Sequence, residues 1–196
     1  MESCIVKSGS HGKQELSVRS LHLGERRIFL SGVINEEIAN QVIMQLILLA
    51  TDGTEPITIY LNSLGGEVAS GLAIYDILQQ IPIEVNIVGM GTVASMAAVI
   101  LAGGQKGRRL LLPHCKVMIH EPYVSGGVGG NAGNIQNTAE EMLKIQKTFQ
   151  QIMAKHTGKT MHEIEMAAAY DHFMDAEEAI AFGLCDHIAD HLFGSE

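Results

Sequence analysis

Short strands that are apolar on both faces, each followed by a helix of matching length, leave this chain few folds to choose from. Ile28 to Ser31, Ile57 to Leu61 and Val85 to Val88 are such strands, bounded by glycine or proline. After the first, Asn35 stands as an N-cap with Glu36 and Glu37 in the first helical turn. Ile38, Val42, Leu46 and Leu49 then follow at helical spacing. After the second comes an apolar helix from about Val68 to Ile81, stopped by Pro82. After the third, Gly89-Met90-Gly91 leads into a small-residue helix from about Ser95 to Ala102. Fully apolar strands alternating with helices predict a mainly parallel sheet covered by helices, an α/β fold.

The remaining segments fit one domain. Arg109 to Leu112 and Lys116 to His120 read as two short strands around the Pro113-His114 turn. Ser125 to Gly133 holds five glycines and precedes a long helix, about Ile135 to His156, ending at Gly158. Thr160 with Glu163 spells a capping box, Asp175 caps a last short helix, and Leu184 to Ile188 closes the pattern as a strand. The first 25 residues are polar with a thin apolar thread and read as an arm or edge element. At 196 residues the chain is about one domain long.

Charge and composition exclude several functions. The net charge is −9 and no Lys/Arg run exceeds two residues, so the clustered basic surface that binds nucleic acid is missing. The longest apolar run, Val93 to Ala102, is ten residues, too short to span a membrane. The start of the chain, Met1 to Lys13, has no apolar core of a signal peptide. Three cysteines (Cys4, Cys115, Cys185) without a C-x-x-C pair suggest neither a disulfide framework nor a thiolate zinc site, and predict a reducing, cytoplasmic setting. Gly158-Lys159-Thr160 ends like a Walker A loop, but Met153 stands where its first glycine is needed. His162-Glu163 lacks the second histidine of H-E-x-x-H, because that position is Met166. His187 and His191, beside Asp186 and Asp190, read as solvated residues rather than metal ligands, so no metal is expected.

Two turns carry the chemistry that remains. Asn62 to Gly66 and Gly89 to Ser95 each join a strand's carboxyl end to a helix's amino end, the edge where open α/β sheets bind ligands. Unpaired helix N–H groups there suit a developing oxyanion. Ser95, His120 and Asp171 supply the three residue types of a nucleophile, its base and the base's orienting carboxylate. Taken singly each has a plainer reading: a cap or packing serine, a satisfied strand-end histidine, a turn aspartate. Spacing alone leaves open whether they meet.

In combination these motifs resemble the ClpP family, the proteolytic subunits of the Clp protease, from about Arg27 to Ile188. Ile28-Phe29-Leu30-Ser31-Gly32 is similar to its opening strand, and Asn62-Ser63-Leu64-Gly65-Gly66 to its N-S-P-G-G turn. Gly91 to Met96 resembles its nucleophile segment, and Leu112-Pro113 with Val117-Met118-Ile119-His120 resembles its histidine strand. Asp171-His172-Phe173 with Ala176, Glu178-Ala179 and Gly183-Leu184 resembles its ending. The resemblance implies crotonase-like repeated ββα units plus a handle strand and helix at about residues 122–156, in a single peptidase domain over 27–196 behind an N-terminal arm, 1–26. It implies a serine endopeptidase acting on unfolded polypeptides, with Ser95, His120 and Asp171 catalytic and the N–H groups of Gly66 and Met96 as oxyanion hole. Gly126, Gly127 and Val128 would pair with substrate main chain. Heptameric rings stacked in pairs are implied, with an AAA+ unfoldase docked at Tyr60, Val88, Met90, Leu110 and Leu112. ATP would bind that partner, leaving this chain without a cofactor.

Departures from the family pattern accompany these matches. Leu64 replaces the usual proline, Glu121 the usual glutamine, and Ala169-Tyr170 the acid–arginine pair that links ring to ring. The N-terminal arm lacks the usual apolar tip. These departures suggest a divergent paralogue, working in mixed rings with a second ClpP-type subunit. A catalytically silent structural subunit is the alternative, and acyl-CoA chemistry on the same fold a more distant one.

Overall fold

The computed structural model describes residues 3–9, 12–124 and 126–189; Ser125, Asp190 and His191 lie outside them. Strands β1 (Cys4–Gly9) and β2 (Gly12–Ser17) form an antiparallel hairpin apart from the main sheet. Helix α1 (Val18–Gly24) follows, with Ser17 Oγ accepting from Ser20 N at its start. The polar arm read from the sequence is thus a hairpin and a short capped helix. No residue of that helix is buried. Its docking onto the sheet, through the ring of His22 edge-on to Phe29 at 5.1 Å, is a tertiary contact that local pattern does not encode.

The main sheet has seven strands. Strand β3 (Arg27–Ser31) leads to helix α2 (Glu36–Thr51), whose cap is Asn35, its Oδ1 accepting from Ile38 N. Strand β4 (Ile57–Ser63) leads to α3 (Val68–Gln80), and β5 (Val85–Ala94) to α4 (Met96–Ala102). Then come β6 (Arg109–Leu111), β7 (Lys116–Ile119), α5 (Ala132–Thr157), α6 (Met161–Ala168), β8 (His172–Met174), α7 (Ala176–Phe182) and β9 (His187–Ile188). The strands run β3-β4-β5-β6-β9, all parallel; β7 adds to the far end of β5 in parallel, and β8 pairs antiparallel with β7. The parallel sheet and its helical cover follow from the apolar strand pattern. Both capping boxes, Thr160 with Glu163 and Asp175 with Glu178, form.

One face of the sheet carries Ile28, Leu30, Ile59, Leu61 and Ile87 into a core shared with Val42 and Leu46 of α2, Ile74 of α3 and the whole of α4. Each fully buried Leu or Ile contributes about 1.5–3 kcal/mol relative to exposure. On the opposite face Phe29, Tyr60, Val88 and Leu110 lie in one cross-strand register row, Phe29 and Tyr60 stacked at 5.0 Å. Tyr60 and Val88 are buried, while Met90, Leu110 and Leu112 are half-buried.

The structure departs from the pattern at Gly89-Met90-Gly91. Instead of turning into the helix there, β5 continues to Ala94, and these glycines mark where it leaves β6 and takes up β7. Gly91 has φ 63°, and a side chain on it would sit 2.9 Å from Asn62 Oδ1. Glycine inside a strand commonly marks such a bend or close approach, and local pattern does not distinguish that from a turn. The handle segment differs as well. Residues 121–124 and 126–131 hold no strand, and Gly126 and Gly127 have φ 90° and 83°, so they are not extended in this chain.

Candidate active site

Three strand ends bring the site together. Ala94 is paired with Met118, and Ser95 N donates to Met118 O at 2.9 Å, so Ser95 leaves β5 beside the end of β7. His120 is the residue after β7, and Asp171 the residue before β8. Because Ile119 pairs with His172 across that antiparallel ladder, His120 and Asp171 meet just beyond its end. Glu121 N, donating to Ala168 O at 2.8 Å, ties the following chain to α6.

The polar contacts follow from that register. Ser95 Oγ lies 2.9 Å from His120 Nε2, and Asp171 Oδ1 lies 3.1 Å from His120 Nδ1. An ionised carboxylate only accepts, so Nδ1 carries the proton and the neutral ring presents Nε2 as acceptor to the Ser95 hydroxyl. The imidazole is mostly enclosed, with 17% of its side chain exposed, whereas the Asp171 side chain is 60% exposed. Tyr123 meets His120 edge-on at 5.5 Å.

Ser95 is not acting as a cap. It precedes α4, yet its side chain makes no bond to the helix backbone. Its φ of 56° and ψ of −123° are strained for a residue with a Cβ, a cost of order 1–3 kcal/mol. The bond to Met118 O holds that conformation, which aims Oγ away from the helix and at His120.

The other turn packs directly on Ser95. A Cβ on Gly65 (φ 89°) would stand 2.6 Å from Ser95 Cβ and 2.9 Å from Met96 N. A Cβ on Gly66 would collide with the carbonyl of Ile34. Ile34 N donates to Gly65 O and Glu67 N donates to Ile34 O, so this bridge leaves the Gly66 N–H out of its bonds. Met96 opens α4, so its N–H belongs to the unpaired first turn. Ser63, which the sequence reading passed over, fixes the turn: its Oγ donates to Gly32 O and accepts from Gly65 N at 3.0 Å. Its signal was a serine inside an apolar strand end, easily taken for surface.

Two clefts flank the imidazole. One, about 440 Å³, is lined by Val33, Leu64, Gly66, Glu67, Val68 and Tyr123 together with Ser95 and His120. The other, about 620 Å³, reaches from His120 and Glu121 past Ala169 and Tyr170 to Asp171. Glu121 accepts a hydrogen bond from Gln146 of α5 at 2.7 Å. Gly126, Gly127 and Val128 are exposed and line neither cleft, and neither do Tyr60, Val88, Met90 and Leu110 of the sheet or Leu112 just after β6. Among the described residues no three His, Cys, Asp or Glu side chains gather as a metal site, and no helix is long and apolar enough to cross a membrane.

A strained serine hydroxyl, an imidazole and a carboxylate in a row, at the mouth of a cleft on an α/β sheet, form the constellation of serine hydrolases. Consistently, a protein-family model described as Clp protease matches residues 10–192, nearly the whole chain. The chain belongs to the Clp protease family, whose members are in general serine peptidases, and its fold is of the ClpP type.

Proposed function

We propose that this chain is a serine endopeptidase subunit that hydrolyses unfolded polypeptides. The observation that carries the reading is the continuous row Asp171–His120–Ser95, with contacts of 3.1 and 2.9 Å ending in an open cleft. His120 Nε2 takes the hydroxyl proton as Ser95 Oγ attacks the peptide carbonyl. Asp171 holds the ring in the required tautomer and stabilises the imidazolium that results. The N–H groups of Gly66 and Met96 accommodate the oxyanion. The tetrahedral intermediate then collapses: the C–N bond breaks, the imidazolium gives its proton to the leaving amine, and an acyl-serine remains. Water, deprotonated by the same imidazole, releases the acid and restores Ser95.

Family membership supports a homo-oligomeric chamber of heptameric rings, stacked in pairs and fed by an AAA+ unfoldase that supplies the ATP-driven step. We assign the docking of that unfoldase to Tyr60, Val88, Met90, Leu110 and Leu112, of which the last three are half-buried, and three cysteines without a C-x-x-C pair fit a cytoplasmic setting. A second reading, a silent subunit completing a mixed ring with another ClpP-type chain, draws on Leu64 and Ala169-Tyr170 standing in place of the family's proline and acid–arginine pair, and on the exposed Asp171. Ser95→Ala decides between them. Loss of peptide hydrolysis by about 10³-fold or more, with fluorophosphonate labelling of the parent homo-oligomer at Ser95, supports the active enzyme. An unlabelled, inactive parent oligomer supports the silent subunit.

A further inference from the structure

The cleft beside Ser95 has apolar walls, Val33, Leu64, Val68, Pro122 and Tyr123, and a single carboxylate, Glu67. Leu64 is 69% exposed and Tyr123 70%, so these walls are free to be covered. Glu67 is the N-cap residue of α3, yet its side chain makes no capping bond. Its Oε2 accepts from Ser70 Oγ at 2.8 Å, a short-range contact within one helical turn that holds the carboxylate in place without neutralising it. Among the described residues Glu67 has no ion pair, and no lysine or arginine lines either cleft. The two other carboxylates near the imidazole are already engaged, Asp171 with His120 and Glu121 with Gln146.

An apolar wall ending in a fixed, unpaired anion complements a long aliphatic stem ending in a cation, the shape of lysine and arginine side chains. We propose that Glu67 is a specificity-determining residue, selecting polypeptides that place a lysine or arginine in this cleft beside the scissile bond. The inference rests on the reading of Ser95 as nucleophile, since that fixes which part of the substrate passes Glu67. The attraction acts over a few ångströms in a partly solvated cleft, so it changes relative kcat/KM by a modest factor and is screened by salt.

The test uses the assembled full-length protein and pairs of fluorogenic peptides that differ only in lysine against norleucine, walked across the positions flanking the cleaved bond. At one position the lysine peptide is expected to win by about two- to five-fold in kcat/KM at low salt, less at high salt. In Glu67→Gln the ratio at that position falls to about one, and in Glu67→Lys it falls below one, the norleucine peptide then being cleaved faster. A ratio that is the same in parent and Glu67→Gln at every position overturns the inference, as does an equal slowing of both peptides by the substitution. Ser95→Ala separates the two levels. Hydrolysis that persists undiminished overturns the nucleophile and this inference together, whereas Ser95-dependent hydrolysis with a Glu67-independent ratio overturns this inference alone.

Discussion

At Ser95 the backbone gives up local comfort for direction. A serine in the usual cap conformation would bond to its own helix, but φ 56° turns Oγ to His120 instead. The same cleft mouth depends on two glycines that no other residue replaces. Gly66→Ala puts a methyl group against the Ile34 carbonyl, which already accepts from Glu67 N, so the turn must move and its N–H with it. Peptide hydrolysis is expected to fall by about 100-fold or more, the usual loss for one oxyanion donor, with far-UV circular dichroism retained. Activity within about threefold of the parent would remove Gly66 N–H from the mechanism. Ser95, His120 and Asp171 were all legible as residue types with the right chemistry. Ser63 was not, because its role lies wholly in the two backbone groups it bridges.

Between elements, a buried polar clasp joins β6 to the ends of α4, α5 and α7. Arg109, 3% exposed, pairs with Asp186 at 2.6 Å and donates to Ala102 O at 3.1 Å and Gly183 O at 3.0 Å. Burial alone would raise the Asp186 carboxyl, but hydrogen bonds from Arg109 and from Gly107 N outweigh it and hold it below its usual range. Asp186→Ala leaves the guanidinium buried and unpaired, and is expected to lower unfolding free energy by about 3 kcal/mol in urea titration. A change below about 1 kcal/mol would show that the pair is structurally idle. Close by, burial pushes His156 down to about 4, helped by Lys155, Arg109 and Lys106, and the neutral ring accepts from Tyr75 OH at 2.8 Å. In the unfolded chain this histidine protonates at ~6.5. Above that pH both states are neutral and His156 leaves stability unchanged. Between about 6.5 and 4 only the unfolded chain takes the proton, so stability falls as pH falls. The contribution of Asp186 has the same sign but a lower window: it is present above the ordinary carboxylate range and is lost as pH drops through the lowered value. Chemical denaturation across pH is expected to show the upper slope flattened in His156→Phe and kept in Asp186→Asn. The opposite pattern would reverse the assignment.

For the molecule as a whole, the family reading predicts particles of seven or fourteen copies of the 21.1 kDa chain, measured by sedimentation velocity. A monomer at micromolar concentration would contradict the chamber. The sequence by itself determined the α/β class, the strand–helix alternation from β3 to α4 and the caps at Asn35, Thr160 and Asp175, though not β1, β2, α1 or β8, because periodicity, caps and breakers act over a few residues. It also supplied the chemistry of the site, since only certain side chains serve as nucleophile, base and orienter. What only the tertiary structure decided is where β5 changes partners, how α1 lies on the sheet, and that the ends of β5, β7 and β8 converge. Those outcomes depend on pairing between segments 25 and 51 residues apart at the site, where register rather than local preference sets which atoms come within hydrogen-bond reach.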